Sequence, residues 1–199
     1  EAIRTIETMG LDSPRATQAL ATACFYLAGQ KLNEGDYDSA LKYYEKASRS
    51  ATDETLRARA DFWLAETCLR LGMDERATEA LTDFRINPAA PQTQEYSRLP
   101  YQQGFLAEKA GDYATAQMYF TAYQKSPNLS TEERADLRLH LANCLFAQGQ
   151  YAQAQDLYGK VAYARVPAAD YATYQKALGQ GISVDYDAQV ATLKALLGT

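Results

Sequence analysis

Gly35-Asp36-Tyr37-Asp38-Ser39-Ala40 is a phrase that the chain repeats. It returns as Gly72-Met73-Asp74-Glu75-Arg76-Ala77, as Gly111-Asp112-Tyr113-Ala114-Thr115-Ala116 and as Gly149-Gln150-Tyr151-Ala152-Gln153-Ala154, at Gly-to-Gly steps of 37, 39 and 38 residues. A weaker fifth copy, Val184-Asp185-Tyr186-Asp187-Ala188-Gln189, follows after 35 residues, with Val and Gln replacing the framing Gly and Ala. A period of this size is the signature of a solenoid of helical hairpins, so the expected fold is all-α.

Each framing residue has a physical reason. Gly follows the last turn of a first helix, where a left-handed backbone is cheap only without a Cβ. Asp can then cap the second helix. The Ala five residues after the Gly is small because two antiparallel helices cross closest there. Four residues further on stands a large group, Tyr44, Leu81, Phe120 or Tyr158, and the i, i+4 spacing keeps it on the face of the Ala. Upstream of the Gly, the pairs Leu27-Ala28, Leu64-Ala65, Gln103-Gly104 and Leu141-Ala142 supply the complementary half of the contact.

These residues resemble the tetratricopeptide repeat family, whose pattern is a large-small pair in the first helix, Ala then an aromatic in the second, and a closing Pro. Pro88, Pro127 and Pro167 fall at or beside that last place, and Thr52 stands there in the first copy. The sequence departs from the pattern in having Cys24, Asp61, Pro100 and Arg138 where the family has its first aromatic, and in periods longer than the usual repeat. The resemblance implies a right-handed α-solenoid of antiparallel hairpins as one domain over 1–199. Its parts are an N-terminal helix, cap or end of a preceding repeat over 1–20, and repeats at about 21–57, 58–96, 97–134, 135–169 and 170–199. Ile3, Ile6 and Met9 recur at helical spacing before Gly10, and Ser13-Pro14 starts the next helix. Val190, Leu193, Leu196 and Leu197 make an apolar stripe before the chain stops. Since solenoids normally close with a polar cap, the stripe suggests a piece of a longer array or ends that pack on another copy.

Composition narrows the function. The chain has 199 residues, 20 Lys plus Arg against 25 Asp plus Glu, and a formal charge of −5. That balance argues against nucleic-acid binding, which calls for a Lys/Arg excess on at least one face. The longest apolar run, Ala21 to Ala28, is broken by Thr22 and falls far short of a membrane span, so membrane insertion is not expected. Cys24, Cys68 and Cys144 are odd in number and widely spaced, and read as buried small hydrophobes with no disulfide framework and no metal site. Reduced thiols fit a reducing compartment. The repeat length, with Ala60-Asp61-Phe62-Trp63 and Asp170-Tyr171-Ala172-Thr173-Tyr174-Gln175, resembles long multi-repeat envelope proteins of Bacteroidetes-type bacteria and points to the periplasm. Both compartments stay open.

Catalytic chemistry is sparse. His140 is the only His and reads as a partly buried or surface side chain without a partner constellation. No nucleophile elbow, Walker loop or zinc-helix motif occurs. Gly179 and Gly181 lack the third Gly of a dinucleotide loop. Asp53-Glu54 and Glu132-Glu133 sit at expected helix starts, where the macrodipole favours them. The chain is therefore read as a non-enzyme without cofactor. The resemblance places the first helices on the concave face, and its groove positions fall on Phe25, Phe62, Tyr101 and Tyr174, with Glu66, Phe105, Asn143, Phe146 and Glu108 further along and Arg59 and Arg98 supplying charge. Such a groove suits a peptide or protein partner. The carboxylate clamp of co-chaperone repeats is not expected, because Leu139 stands where Asn143 would need a Lys partner. Alternatives are a carbohydrate-binding or envelope-assembly module, and self-association through uncapped ends.

Overall fold

The structure is a computed structural model that describes residues 13–164 and 166–198. The expected N-terminal helix of Ile3, Ile6 and Met9 lies outside the described residues. Ten α-helices follow one another, with no strand among the described residues. They are α1 (Pro14–Asn33), α2 (Tyr37–Ser50), α3 (Glu54–Arg70), α4 (Asp74–Ile86), α5 (Leu99–Lys109), α6 (Tyr113–Tyr123), α7 (Thr131–Ala147), α8 (Tyr151–Ala162), α9 (Ala169–Ile182) and α10 (Tyr186–Leu197). The chain divides into two compact units, one up to Leu99 and one from Pro100.

The first unit holds the hairpins α1–α2 and α3–α4. Ser13 caps α1 by accepting from the Ala16 N–H at 3.2 Å, with Pro14 in the first turn. The first hairpin thus begins at Pro14, at the helix start that Ser13-Pro14 marks in the sequence. Gly35 and Gly72 take φ of +79° and +72°, the left-handed conformation that ends each first helix. Asp36 then accepts from the Ser39 N–H and starts α2. Ala28 and Ala40 are fully buried where α1 and α2 cross, and Tyr44 closes the contact at 2% exposure. A larger side chain at either Ala would force the helices apart, at a cost of about 1–3 kcal/mol.

The second unit holds α5–α6, α7–α8 and α9–α10. Gly111 and Gly149 repeat the left-handed turn at φ +79° and +77°. Gly104 stands where other copies have Ala, because a Cβ there would lie 2.8 Å from the Phe120 ring. The third first-helix is the irregular one. Pro100 has no N–H for a preceding carbonyl, so α5 starts at its side and the turn before it, Gln94–Arg98, is a 3-10 helix. Ser130 and Glu133 form a reciprocal capping box at the start of α7. In the fifth copy Val184 occupies the Gly place and still adopts φ +62°, so the turn persists without the residue that suits it. Gly179 and Gly181 lie inside α9, where a Cβ would press on Gln155 and Gln189.

Candidate functional site

In the first unit, α1 and α3 run side by side and leave an open groove of ≈ 610 Å³ between them. Phe25, Tyr26, Gly29 and Gln30 of α1 line one side, Arg59 and Trp63 of α3 the other, and Tyr44 of α2 reaches the floor. Phe25 is 6% exposed and meets Tyr44 edge-on, with centroids 5.8 Å apart. Burial pushes the Tyr44 hydroxyl up to about 12, so it stays protonated and polar across the physiological range. Tyr26 is one residue on, a 100° turn of the helix, and is 68% exposed.

Arg59 is held at two points. Its Nε donates to Glu95 Oε1 at 2.9 Å, and its guanidinium carbon lies 4.9 Å from the centroid of the Phe25 ring. The indole of Trp63 donates to the same Glu95 oxygen at 3.1 Å. Glu95 comes from the 3-10 turn ahead of α5 and is only 6% exposed, so it anchors both groove residues from behind. One turn beyond Trp63 on the same helix, Glu66 pairs with Arg70 at 2.8 Å. Phe62 is elsewhere. At 1% exposure it packs against Phe84 and Trp63, so its ring belongs to the interior and no partner can touch it.

On the other side of α3 a polar crevice of ≈ 250 Å³ contains Asp61, which is 5% exposed and accepts a hydrogen bond from Ser48. Burial, opposed by that hydrogen bond and reinforced by the charge of Asp83, pushes Asp61 up to about 6.

In the second unit a polar network threads α5, α7 and α8. His140 Nδ1 lies 2.5 Å from Glu108 Oε2, and the other Glu108 oxygen accepts from Asn143 Nδ2 at 3.3 Å. Tyr158 donates to Asn143 Oδ1 at 2.8 Å. Tyr101 donates to Asp136 at 2.5 Å and sits 3.5 Å from His140 Nε2. The imidazole stacks on Phe120 at 5.1 Å and meets Phe105 and Tyr101 edge-on. Burial pulls the His140 pKa down, but the Glu108 hydrogen bond and the charges of Glu108 and Asp136 outweigh it, and the net shift is upward. His140 therefore has the partner constellation that its lone place in the sequence did not suggest. Its groups pin helices together.

The remaining expected residues separate. Tyr101, Phe105 and Asn143 join the His140 network, whereas Phe146 packs against Tyr151 and Tyr158. Tyr174 on α9 is 47% exposed, and Arg98 is exposed at the end of the 3-10 turn. The repeat pattern marks neither Tyr26 nor Glu95.

Cys24, Cys68 and Cys144 are fully buried, and burial pushes the thiols of Cys68 and Cys144 up to about 11 and about 12. Among the described residues no group of three or more His, Cys, Asp or Glu could hold a metal ion, and no helix is long and apolar enough to cross a membrane.

Two tetratricopeptide repeat profiles match the sequence, over residues 30–91 and 107–178. Together they span about two thirds of the chain, and the chain belongs to the tetratricopeptide repeat family. No curated protein matches it by sequence. Solved structures agree on the fold. MamA superposes with a TM-score of 0.68 at 20% identity, over 89% of this chain and 90% of its own. BtubC (BKLC) from P. vanneervenii reaches 0.70 at 15% identity, over 98% and 85%. The TPR-like repeats of a Podosopora anserina putative kinesin light chain reach 0.67 at 15%, over 94% and 96%. These likenesses establish the fold, an all-α tetratricopeptide solenoid.

Proposed function

We propose that the chain is a non-catalytic scaffold that holds a peptide or protein segment in the groove between α1 and α3. One observation carries the reading: an open hollow whose rim bears a Tyr ring 68% exposed, beside a guanidinium already fixed in position. Exposed aromatics beside Arg are the residue types that dominate binding energy at protein interfaces. Arg59 is held in place before any ligand arrives, so that side chain is presented at little ordering cost. The test is affinity capture from the source cell with the parent chain and with Tyr26→Ala, which removes an exposed ring and leaves the core intact. A partner retained by the parent and reduced at least fivefold by the variant supports the groove; equal recovery removes it.

A second reading has an observation of its own. None of the α10 residues is buried, and Tyr186, Val190 and Leu197 are 60%, 48% and 87% exposed. Self-association through this helix would raise the sedimentation coefficient with concentration, and Val190→Lys would abolish the rise. A sedimentation coefficient independent of concentration removes this second reading.

A further inference from the structure

We infer that the segment held between α1 and α3 presents one carboxylate side chain next to an apolar one, with the carboxylate seated across the two Nη groups of Arg59. The inference rests on the scaffold reading and specifies its partner. An exposed Arg ordinarily loses side-chain freedom when it engages a ligand. Arg59 is fixed beforehand by the Glu95 contact at Nε and by the face of Phe25. Neither contact uses the Nη groups, which make no hydrogen bond among the described residues. The side chain is 37% exposed and lines the groove. Two parallel N–H donors on a planar fork match the two oxygens of a carboxylate, a geometry that an ammonium cannot reproduce.

The charge count sets the ligand class. Glu95 already offsets part of the Arg59 charge, and among the described residues no second cation lines the groove. A single monoanion fits such a site, whereas a phosphate dianion calls for a cluster of Arg. An acidic tract is disfavoured as well, because Glu34 also lines the groove and the chain as a whole carries −5. The apolar neighbour is set by Tyr26 and Trp63. Gly29 keeps the floor between them open: a Cβ there would rest 3.5 Å from the Tyr44 hydroxyl, with nothing else close.

The test is selection of peptides from a random 12-residue phage library on the full chain, followed by fluorescence anisotropy with the enriched peptide. The expected winners carry Asp or Glu beside an aromatic or Leu. Replacing that acid by its amide should weaken binding about tenfold, and Arg59→Gln should cost the same amount, with no further loss when both changes are combined. The peptide-side change leaves the protein untouched, so the result does not depend on how well Arg59→Gln folds with Glu95 left behind. Peptides that lose binding with Tyr26→Ala but tolerate the acid-to-amide change would overturn the carboxylate inference and leave the groove standing. A selection yielding no peptide sensitive to Tyr26→Ala would overturn both.

Discussion

Asp61 is a buried carboxylate at the position where the family has its first aromatic, and replacing it by Asn should stabilise the protein at neutral pH. The side chain is 5% exposed and accepts a hydrogen bond from Ser48, while no cation within salt-bridge distance offsets its charge among the described residues. The folded pKa is raised from 3.8 to about 6, chiefly by burial. The folded state therefore holds a proton that the unfolded chain releases first, and stability falls as pH rises from 3.8 through about 6. A rise of that size corresponds to about 3 kcal/mol lost at pH 7.5, shrinking to about 0.5 kcal/mol at pH 4. Asn keeps the acceptor for Ser48 and carries no charge, but buries an amide at a cost of about 1 kcal/mol. Asp61→Asn should thus gain about 2 kcal/mol at pH 7.5 and lose about 0.5 kcal/mol at pH 4. Urea unfolding followed by the fluorescence of Trp63, the single Trp and two residues along α3, reads this unit directly. A variant whose change in stability is the same at both pH values would refute the reasoning.

His140 is the only histidine, so its ring proton resonance can be titrated without assignment, and the midpoint should lie above 6.5 in the folded protein and drop in Glu108→Gln. Because the folded pKa is raised, the stabilisation is fully present below pH 6.5 and is lost as pH rises through the folded midpoint; Glu108→Gln should cost about 2 kcal/mol at pH 6 and less at pH 9, measured by urea unfolding followed by circular dichroism. Gly104→Ala should destabilise by about 2 kcal/mol despite better helix propensity, since its Cβ would meet Phe120 at 2.8 Å; a raised melting temperature would contradict this. Val184→Gly should stabilise by about 1 kcal/mol, because a β-branched residue is relieved of φ +62° while its 68%-exposed side chain gives up little burial; a lowered urea midpoint would show that the turn carries no such strain.

The hairpins were legible because the repeat phrase encodes local events. Gly at a left-handed turn, Asp at a cap and Ala at a crossing act within one or two turns of helix, and all three recur at readable spacing. The groove was less legible. The repeat puts its fifth-position aromatics on the surface, yet Phe62 turns inward, and the exposed ring is Tyr26, the neighbour of Phe25. One residue of helical phase separates the two faces, and a 37- to 39-residue repeat does not fix that phase. Glu95 was invisible for a different reason: its partners lie 36 and 32 residues away, across an insert whose 3-10 path follows from Pro100 and not from the repeat. The His140 network is likewise a set of contacts between repeats, which the grammar of a single repeat cannot specify.

The central claim is that a partner lies against the α1–α3 groove, and a photo-crosslinking side chain tests it at single-residue resolution. p-Benzoylphenylalanine replaces Tyr26 in one variant and, in a control, Tyr163, which is 86% exposed in the other unit. Irradiation in the source cell should yield a discrete covalent adduct from position 26, lost when Arg59→Gln is added, and none from position 163. Adducts of equal yield from both positions, or from position 163 alone, would contradict the account.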